Sequence, residues 1–252
     1  MLSFTVTDVD DDDVSSVDGA GILLFTIKEG KLCFLLAREA WEPRTQLPWS
    51  GFEGGAKKGE TAMETAAREF IEESMGSVRG MVTYQEVLSQ LKNGDYFCKI
   101  DLEIQRTSRR SQCYTTFLKQ IPYDEDLPKR FGTIRRRLKC AEILSTKHKT
   151  DELRLLYNRF NTFFAKHPAI KGVTFNNKGK PQKIDVAADY LEKDRLAYWT
   201  FDDVRQCMNG EFSHNRMKAY FIGSLCASIH EVERAFYKDT RTPLDLITVS
   251  TL

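Results

Sequence analysis

A glycine-rich loop that runs directly into an amphipathic segment most restricts how this chain of 252 residues can fold. The loop, residues 49–59, contains four glycines. After it, apolar residues recur at i, i+3, i+4, i+7 and i+8, namely Met63, Ala66, Ala67, Phe70 and Ile71. This spacing predicts a helix with one buried face. Because that face needs a partner layer, the helix is expected to pack against other elements.

The sequence also predicts where this helix begins and ends. Thr61 and Glu64 have the spacing of a capping box, and Gly76 is placed to end the helix. On the face opposite the apolar stripe, three carboxylates are expected to converge within one turn: Glu69, Glu72 and Glu73. Such carboxylates repel one another unless a cation lies among them. Oxygen ligands suit Mg²⁺ or Mn²⁺, which bridge phosphate oxygens and activate water, so the pattern indicates hydrolysis of a phosphate-containing bond.

The loop and the helix together resemble the signature of the Nudix hydrolases. Gly54 is followed by five residues, Glu60, seven more residues, and then Arg68-Glu69-Phe70-Ile71-Glu72-Glu73. Two positions depart from the family pattern. Met75 stands where the family has glycine, and Glu53 stands where a second glycine is frequent.

The resemblance implies a role for each residue of the motif. Glu69, Glu72 and Glu73 are implied as ligands of Mg²⁺ or Mn²⁺, and Glu69 also as a base for the attacking water. Arg68 is implied to orient the carboxylates by salt bridges. The implied phosphate-binding loop contains Gly54, Gly55, Lys57, Lys58 and Glu60. For a second base the candidates are Glu103, Asp124, Glu125 and Glu192, which the sequence does not rank.

The predicted fold class is α/β, a Nudix-like α/β/α sandwich with a mixed sheet, plus a basic helical insertion and a C-terminal helix. Strands are predicted at 21–27, 32–37, 81–88, 96–104, 114–121 and 195–199. Helices are predicted within 124–166 and at 201–208 and 213–237, with a loop at 171–183. The predicted organisation is an acidic, partly disordered tail (1–18), a hydrolase domain (19–124 and 186–210), an insertion (125–185) and a C-terminal helix and tail (211–252).

Charge is unevenly distributed along the chain. Although the formal net charge is only +1, residues 128–183 carry 15 Lys and Arg against three acids, a local charge of +12. Clustered cations of this kind are typical of a polyanion site, although a solvated helix face is the ordinary alternative. Arg135, Arg136 and Arg137 are the predicted track for an RNA backbone.

Three functions remain open on the sequence. The first is removal of the cap from RNA, in the manner of mRNA-decapping members of the family. The second is hydrolysis of a small compound such as a dinucleoside polyphosphate, a nucleotide sugar or a diphosphoinositol polyphosphate. The third is RNA or protein binding without turnover. No apolar run is long enough to span a membrane, and the acidic N-terminus does not resemble a secretory signal, so a cytoplasmic location is expected. The oligomeric state is left open.

Overall fold

The computed structural model describes residues 17–40, 48–104 and 112–208, together with Phe221, Leu225, Cys226 and Ile229. Nine strands lie within these residues: β1 (Gly19–Lys28), β2 (Lys31–Glu39), β3 (Trp49–Ser50), β4 (Phe52–Gly55), β5 (Cys98–Ile104), β6 (Gln112–Gln120), β7 (Ile170–Phe175), β8 (Pro181–Val186) and β9 (Lys193–Thr200). Six α-helices accompany them: α1 (Ala62–Ser74), α2 (Tyr84–Lys92), α3 (Leu127–Thr146), α4 (Thr150–Arg159), α5 (Asn161–Lys166) and α6 (Phe201–Met208).

The main sheet is mixed. β1 pairs antiparallel with β2 and β4 and parallel with β6, and β6 continues antiparallel to β5. β2 pairs antiparallel with β9 over most of its length. At Ala37, β2 also pairs with β3, so β3 and β9 lie on opposite sides of β2. The sheet therefore brings β4, which leads towards α1, next to the start of β1.

Both faces of the sheet are covered. Alternate residues of β1, such as Ile22 and Leu24, pack in one apolar cluster with Phe70 of α1. Leu23 and Phe25, on the other face, pack in a second cluster with Val204 of α6. The second cluster also contains the described C-terminal apolar residues, which are helical: Phe221, Leu225 and Ile229. The predicted α/β/α sandwich with a mixed sheet is thus confirmed.

Two predicted elements are wrong. Residues 81–88 are not a strand, because Thr83 and Glu86 form a capping box that starts α2 and Val87 and Leu91 give it a buried side. The predicted loop at 171–183 is instead the hairpin β7–β8. The exposed lysines of this hairpin interrupt the apolar pattern by which strands are predicted. Ile184, in contrast, packs in a small core with Ala141 of α3.

The basic region 125–185 is built on the main core. Leu127, Phe131 and Leu138 of α3 belong to the same apolar cluster as Phe70 of α1. The helical content predicted for 124–166 is present as α3, α4 and α5. Most of the predicted helix 213–237 and residues 1–16 lie outside the described residues. Among the residues that are described, no helix is long and apolar enough to cross a membrane.

Candidate active site

α1 begins and ends largely as its sequence predicts. Thr61 is the N-cap, and the Thr61–Glu64 capping box is formed in both directions. The helix ends at Ser74, and the next residue, Met75, takes the left-handed conformation with φ of 54°. This is the position at which the Nudix pattern has glycine, which adopts such a φ without strain. Met75 compensates by being buried in the core cluster.

Arg68 is the centre of an ion cluster on α1. Its Nε and Nη2 donate to the two oxygens of Glu60 at 2.7 and 2.9 Å, a bidentate pair. Its Nη1 donates to Glu69 Oε1 at 2.5 Å and to Glu72 Oε2 at 3.0 Å. Nη2 also donates to the Gly55 carbonyl at 2.8 Å. Arg68 therefore joins the glycine loop to two of the three predicted metal ligands.

The charges of this cluster depend on one another. Hydrogen bonding from Arg68 lowers the pKa of Glu60 to about 2, against the smaller opposing effect of burial. Burial lowers the pKa of Arg68, but its bonds to Glu60 and Glu69 outweigh burial and the pKa is raised. Burial raises the pKa of Glu69 despite the bond from Arg68, and the charges of Glu72 and then of Glu192 act in the same direction. Glu192 is thus the second-base candidate that the structure brings near Glu69.

Glu69 lies against the backbone of β4. A Cβ atom added to Gly54 would fall 2.3 Å from Glu69 Cδ, so the Glu69 carboxylate would have to move. The absence of a side chain at position 54 thus lets the Glu69 carboxylate lie against β4, whereas a Cβ at Gly55 would meet only the Asp18 carbonyl at 3.9 Å. The Gly54 carbonyl accepts a hydrogen bond from the Tyr114 hydroxyl at 3.0 Å, which fixes the strand beneath the helix.

Glu73 is placed apart from Glu69 and Glu72. Its side chain is 3% exposed, and its Oε2 accepts from the Glu53 backbone N–H at 2.8 Å. Its Oε1 lies 2.9 Å from Nζ of Lys193, which is fully buried in β9. Lys193 also contacts Glu39 and donates to Ser50 Oγ at 2.7 Å. The expected exposed face of three converging carboxylates is therefore divided in two.

Lys193 was missed by the sequence reasoning. Lys193 belongs to no motif, and its spacing from the other site residues gives no signal in the sequence. Only the pairing of β9 with β2 brings it to Glu39 and to Glu73, and the sequence does not show that pairing. Its neighbour Glu192 was among the candidate bases without any ranking.

The remaining loop residues lie at the rim. Lys57 is 59% exposed, and its Nζ lies 3.8 Å from Glu72 Oε1, while its backbone N–H donates to Glu60 Oε2 at 2.9 Å. Lys58 is exposed. Both lysine side chains are therefore accessible to solvent. Of the other candidate bases, Asp124 is engaged by Arg130 at 2.8 Å, Glu125 is exposed, and the side chain of Glu103 lies outside the described residues.

The three predicted track residues differ in their contacts and exposure. Arg135 is partly buried and donates to the Lys193 carbonyl at 2.8 Å. The guanidinium of Arg137 lies 4.2 Å from the ring centre of Phe160. Arg136 is exposed. Successive residues of a helix point about 100° apart, so the three side chains have different surroundings.

The donor chemistry of the cluster suits a hard cation, because Glu69 and Glu72 are carboxylates that already share one positive group. Within the described residues, however, no three His, Cys, Asp or Glu side chains converge closely enough to hold a metal ion. Glu73 faces Lys193 instead. Two carboxylates are thus available on the loop side and one on the core side.

Comparison with known proteins gives matches only among solved structures, since no family model and no curated protein match the chain. A Caenorhabditis elegans Ap4A hydrolase is 19% identical over 44% of this chain and 69% of its own, with a TM-score of 0.30. The NUDIX domain of Shewanella oneidensis NrtR, complexed with ADP ribose, is 11% identical over 90% and 94%, with a TM-score of 0.38.

A bifunctional NMN adenylyltransferase/ADP ribose pyrophosphatase from Francisella tularensis, complexed with AMP and a manganese ion, is also similar. It is 11% identical over 87% of this chain and 43% of its own, with a TM-score of 0.41. Likenesses at these identities and TM-scores carry no argument about function. Any inference about function therefore rests on the residues of this chain, above all Arg68 and the glutamates around it.

Proposed function

We propose that this protein is a metal-dependent hydrolase of the Nudix type that cleaves a pyrophosphate linkage. The observation that carries the proposal is the Arg68 cluster, in which one guanidinium joins Glu60, Glu69, Glu72 and the Gly55 carbonyl. One nitrogen atom of Arg68 holds two carboxylates, Glu69 and Glu72, beside the glycine-rich end of β4. Stabilising a helix alone does not require two carboxylates at one nitrogen. This arrangement concentrates negative charge at the point where a cation and a phosphate would meet.

Glu69 and Glu72 would hold the Mg²⁺ or Mn²⁺ ion. When bound, such an ion lowers the pKa of a water molecule and offsets the charge of the phosphates. Arg68 orients both carboxylates, and Glu60 fixes Arg68 in turn. Lys57 and Lys58 are proposed to attract the phosphates to the rim of the site. The backbone of Gly54 and Gly55 is proposed to approach them closely.

Glu73 is proposed to act as a positioning residue. Its bonds to the Glu53 N–H and to Lys193 Nζ connect α1 to β4 and β9. This places the helix, and with it Glu69 and Glu72 on the neighbouring positions, at a fixed depth over the strand. A Glu73→Gln variant should therefore lower stability as well as turnover, whereas Glu72→Gln, which keeps an oxygen acceptor for Arg68, should affect mainly turnover.

Capped RNA is proposed as the substrate, with hydrolysis of the cap pyrophosphate in the cytoplasm. The +12 charge of residues 128–183 favours a long anionic substrate. The second candidate is a small nucleoside-diphosphate-linked compound. The internal contacts of Arg135 and Arg137 favour it, because those cations are engaged within the protein. A module that binds RNA without turnover is the third reading, and the complete Arg68 cluster disfavours it.

The test is incubation of the full chain with Mg²⁺ or Mn²⁺ and cap-labelled RNA beside a panel of small nucleotides. Glu69→Gln and Glu72→Gln are compared with Glu152→Gln, a control on the exposed side of α4. Release of cap nucleotide by the parent and the control, but not by the two site variants, would support decapping. Hydrolysis of a small compound alone would select the second candidate. Absence of turnover on every substrate would overturn the enzyme assignment.

A further inference from the structure

A groove of about 550 Å³ lies between the tip of the β7–β8 hairpin and α4, outside the candidate active site. Its wall combines an aromatic ring, three cations and amide groups: Arg154, Phe175, Asn176, Lys178, Lys180 and Gln182. Asp151 is the one acidic residue among those that line it. The groove is open to solvent and has a positive balance of charge.

Phe175 is an exposed aromatic residue held in a fixed orientation. Its side chain is 46% exposed, although phenylalanine is among the residues most often buried. Tyr157 of α4 packs edge-to-face against it, with ring centres 5.6 Å apart and an interplanar angle of 84°. One part of the Phe175 surface is thus supported by α4, while nearly half remains available to another ring.

The hairpin turn that carries the lysines beside Phe175 is held by a side chain. Asn176 Oδ1 accepts from the backbone N–H groups of Lys178 and Lys180 at 3.0 and 2.9 Å, which fixes the hairpin turn. Two ion pairs lie in this region: Arg154 pairs with Asp151 at 3.6 Å, and Lys183 pairs with Asp185 at 3.6 Å. No carboxylate among the described residues forms an ion pair with Lys178 or Lys180. Both amines are therefore available to a phosphate.

We propose that this groove, formed by Phe175, Lys178, Lys180 and Arg154, binds a single-stranded segment of RNA. An exposed aromatic ring beside solvated cationic side chains is typical of surfaces that bind single strands. A base stacks on the ring while the cations contact the phosphates. A double helix would not present a free base face to Phe175. This surface replaces the Arg135–Arg137 series as the RNA contact of the basic region.

The hairpin begins beside the C-terminal end of α1, the helix that carries the candidate active site. His167, three residues before β7, has its Nε2 3.2 Å from the Met75 carbonyl at the end of α1. β7 contains six residues, so at about 3.3 Å per residue the strand from Ile170 to Phe175 is roughly 15–20 Å long. A nucleotide chain spans such a distance, whereas a single nucleotide does not. The inference extends the proposed function, since the bound strand would be the body of the capped RNA.

The first measurement is fluorescence anisotropy of the full chain with a labelled, uncapped single-stranded RNA of 20 nucleotides, in the presence of EDTA. Because neither a cap nor a metal is present, the result is independent of hydrolysis. Phe175→Ala should weaken binding about tenfold, and Phe175→Trp should restore it. Lys178→Ala with Lys180→Ala should lower the slope of log affinity against log salt by about 1.4. Lys147→Ala, an exposed lysine elsewhere in the basic region, is the matched control.

The outcomes separate this proposal from the proposed function. Equal affinities of the parent, Phe175→Ala and the double lysine variant would overturn the groove as an RNA site, as would equal losses in Phe175→Ala and Lys147→Ala. Turnover of a small nucleotide by Phe175→Ala should match the parent in both KM and kcat. Loss of that turnover with an unchanged thermal midpoint would also contradict the proposal, because it would place Phe175 at the reacting atoms. Groove binding with no turnover on any substrate would overturn the hydrolase alone.

Discussion

At the scale of single residues, Arg68 is the group on which the candidate site depends. It is 14% exposed and makes charge-assisted bonds to Glu60, Glu69 and Glu72. Arg68→Ala should lower the free energy of unfolding by about 3 kcal/mol, because it leaves three partly buried carboxylates without their partner. Lys57→Ala, which removes an exposed cation from Glu72, should cost less than about 1 kcal/mol. Urea denaturation measures the free energy of unfolding of both variants. Equal losses in the two would show that Arg68 does not hold the cluster together.

Glu60 gives the cluster a pH dependence. Its folded pKa is about 2, lowered first by the bond from Arg68, against an ordinary value of 4.5. The unfolded chain therefore binds the proton more readily, so this stabilisation is present above pH 4.5 and is lost as the pH falls towards 2. Glu60→Gln should remove this part of the acid sensitivity. A chemical-denaturation series between pH 5 and 2 checks it, and parallel curves for parent and variant would contradict it.

At the scale of elements, His167 connects α5 to the end of α1. Its Nδ1 accepts from the Ala169 N–H at 3.2 Å, so its Nε2 carries the proton that is donated to the Met75 carbonyl. Burial lowers the pKa of His167 to about 4, despite the opposing bond to Met75. Since the unfolded histidine titrates near 6.5, stability should fall by roughly 2–3 kcal/mol as the pH drops from 6.5 to 4.

His167→Gln keeps a hydrogen-bonding side chain without an ionisable ring. Its unfolding free energy should be flat over the same pH range, apart from the contributions of other groups. Because the Glu60 window lies below pH 4.5, the two effects are separable in one series. A parent curve already flat between pH 6.5 and 4 would contradict a buried neutral His167.

Gly54 and Gly55 are the last two residues of β4 and allow a matched comparison. In Gly54→Ala the new methyl group would displace the Glu69 carboxylate, so loss of turnover is expected with a loss of stability of only about 1 kcal/mol. Gly55→Ala meets no close atom and should stay within about 0.5 kcal/mol of the parent. Thermal unfolding and the nucleotide panel measure the two effects. Similar behaviour of both variants would contradict the close approach of Glu69 to β4.

At the scale of the whole molecule, the basic region and the sheet share one core. Phe131 of α3 is fully buried in the same cluster as Phe70 and Phe117. We therefore expect one cooperative unfolding transition, seen equally by the fluorescence of the buried Trp49 and Trp199 and by far-ultraviolet circular dichroism. Phe131→Ala should lower stability by about 3–5 kcal/mol in both signals. Two separate transitions would show that region 125–185 folds on its own.

The sequence alone determined the elements whose signals are local. The capping box at Thr61, the apolar stripe of α1 and the hairpin of β1 and β2 depend on neighbours a few residues apart, so they could be predicted from spacing. The same logic applied to Thr83 and Glu86 would have placed α2 correctly. The Gly54 and Arg68 positions also followed from the motif that the chain shares with the Nudix pattern.

Only the tertiary structure decided which charges meet. Glu73 lies one position from Glu72, yet it faces Lys193, which is 120 residues later in the chain, because β9 pairs with β2 beneath α1. Likewise, the fold turned Arg135 and Arg137 towards internal partners and left Phe175 and Lys178 exposed on a hairpin. Helical and strand spacing fixes the side from which a residue projects. What lies on that side depends on long-range packing, which local sequence does not encode.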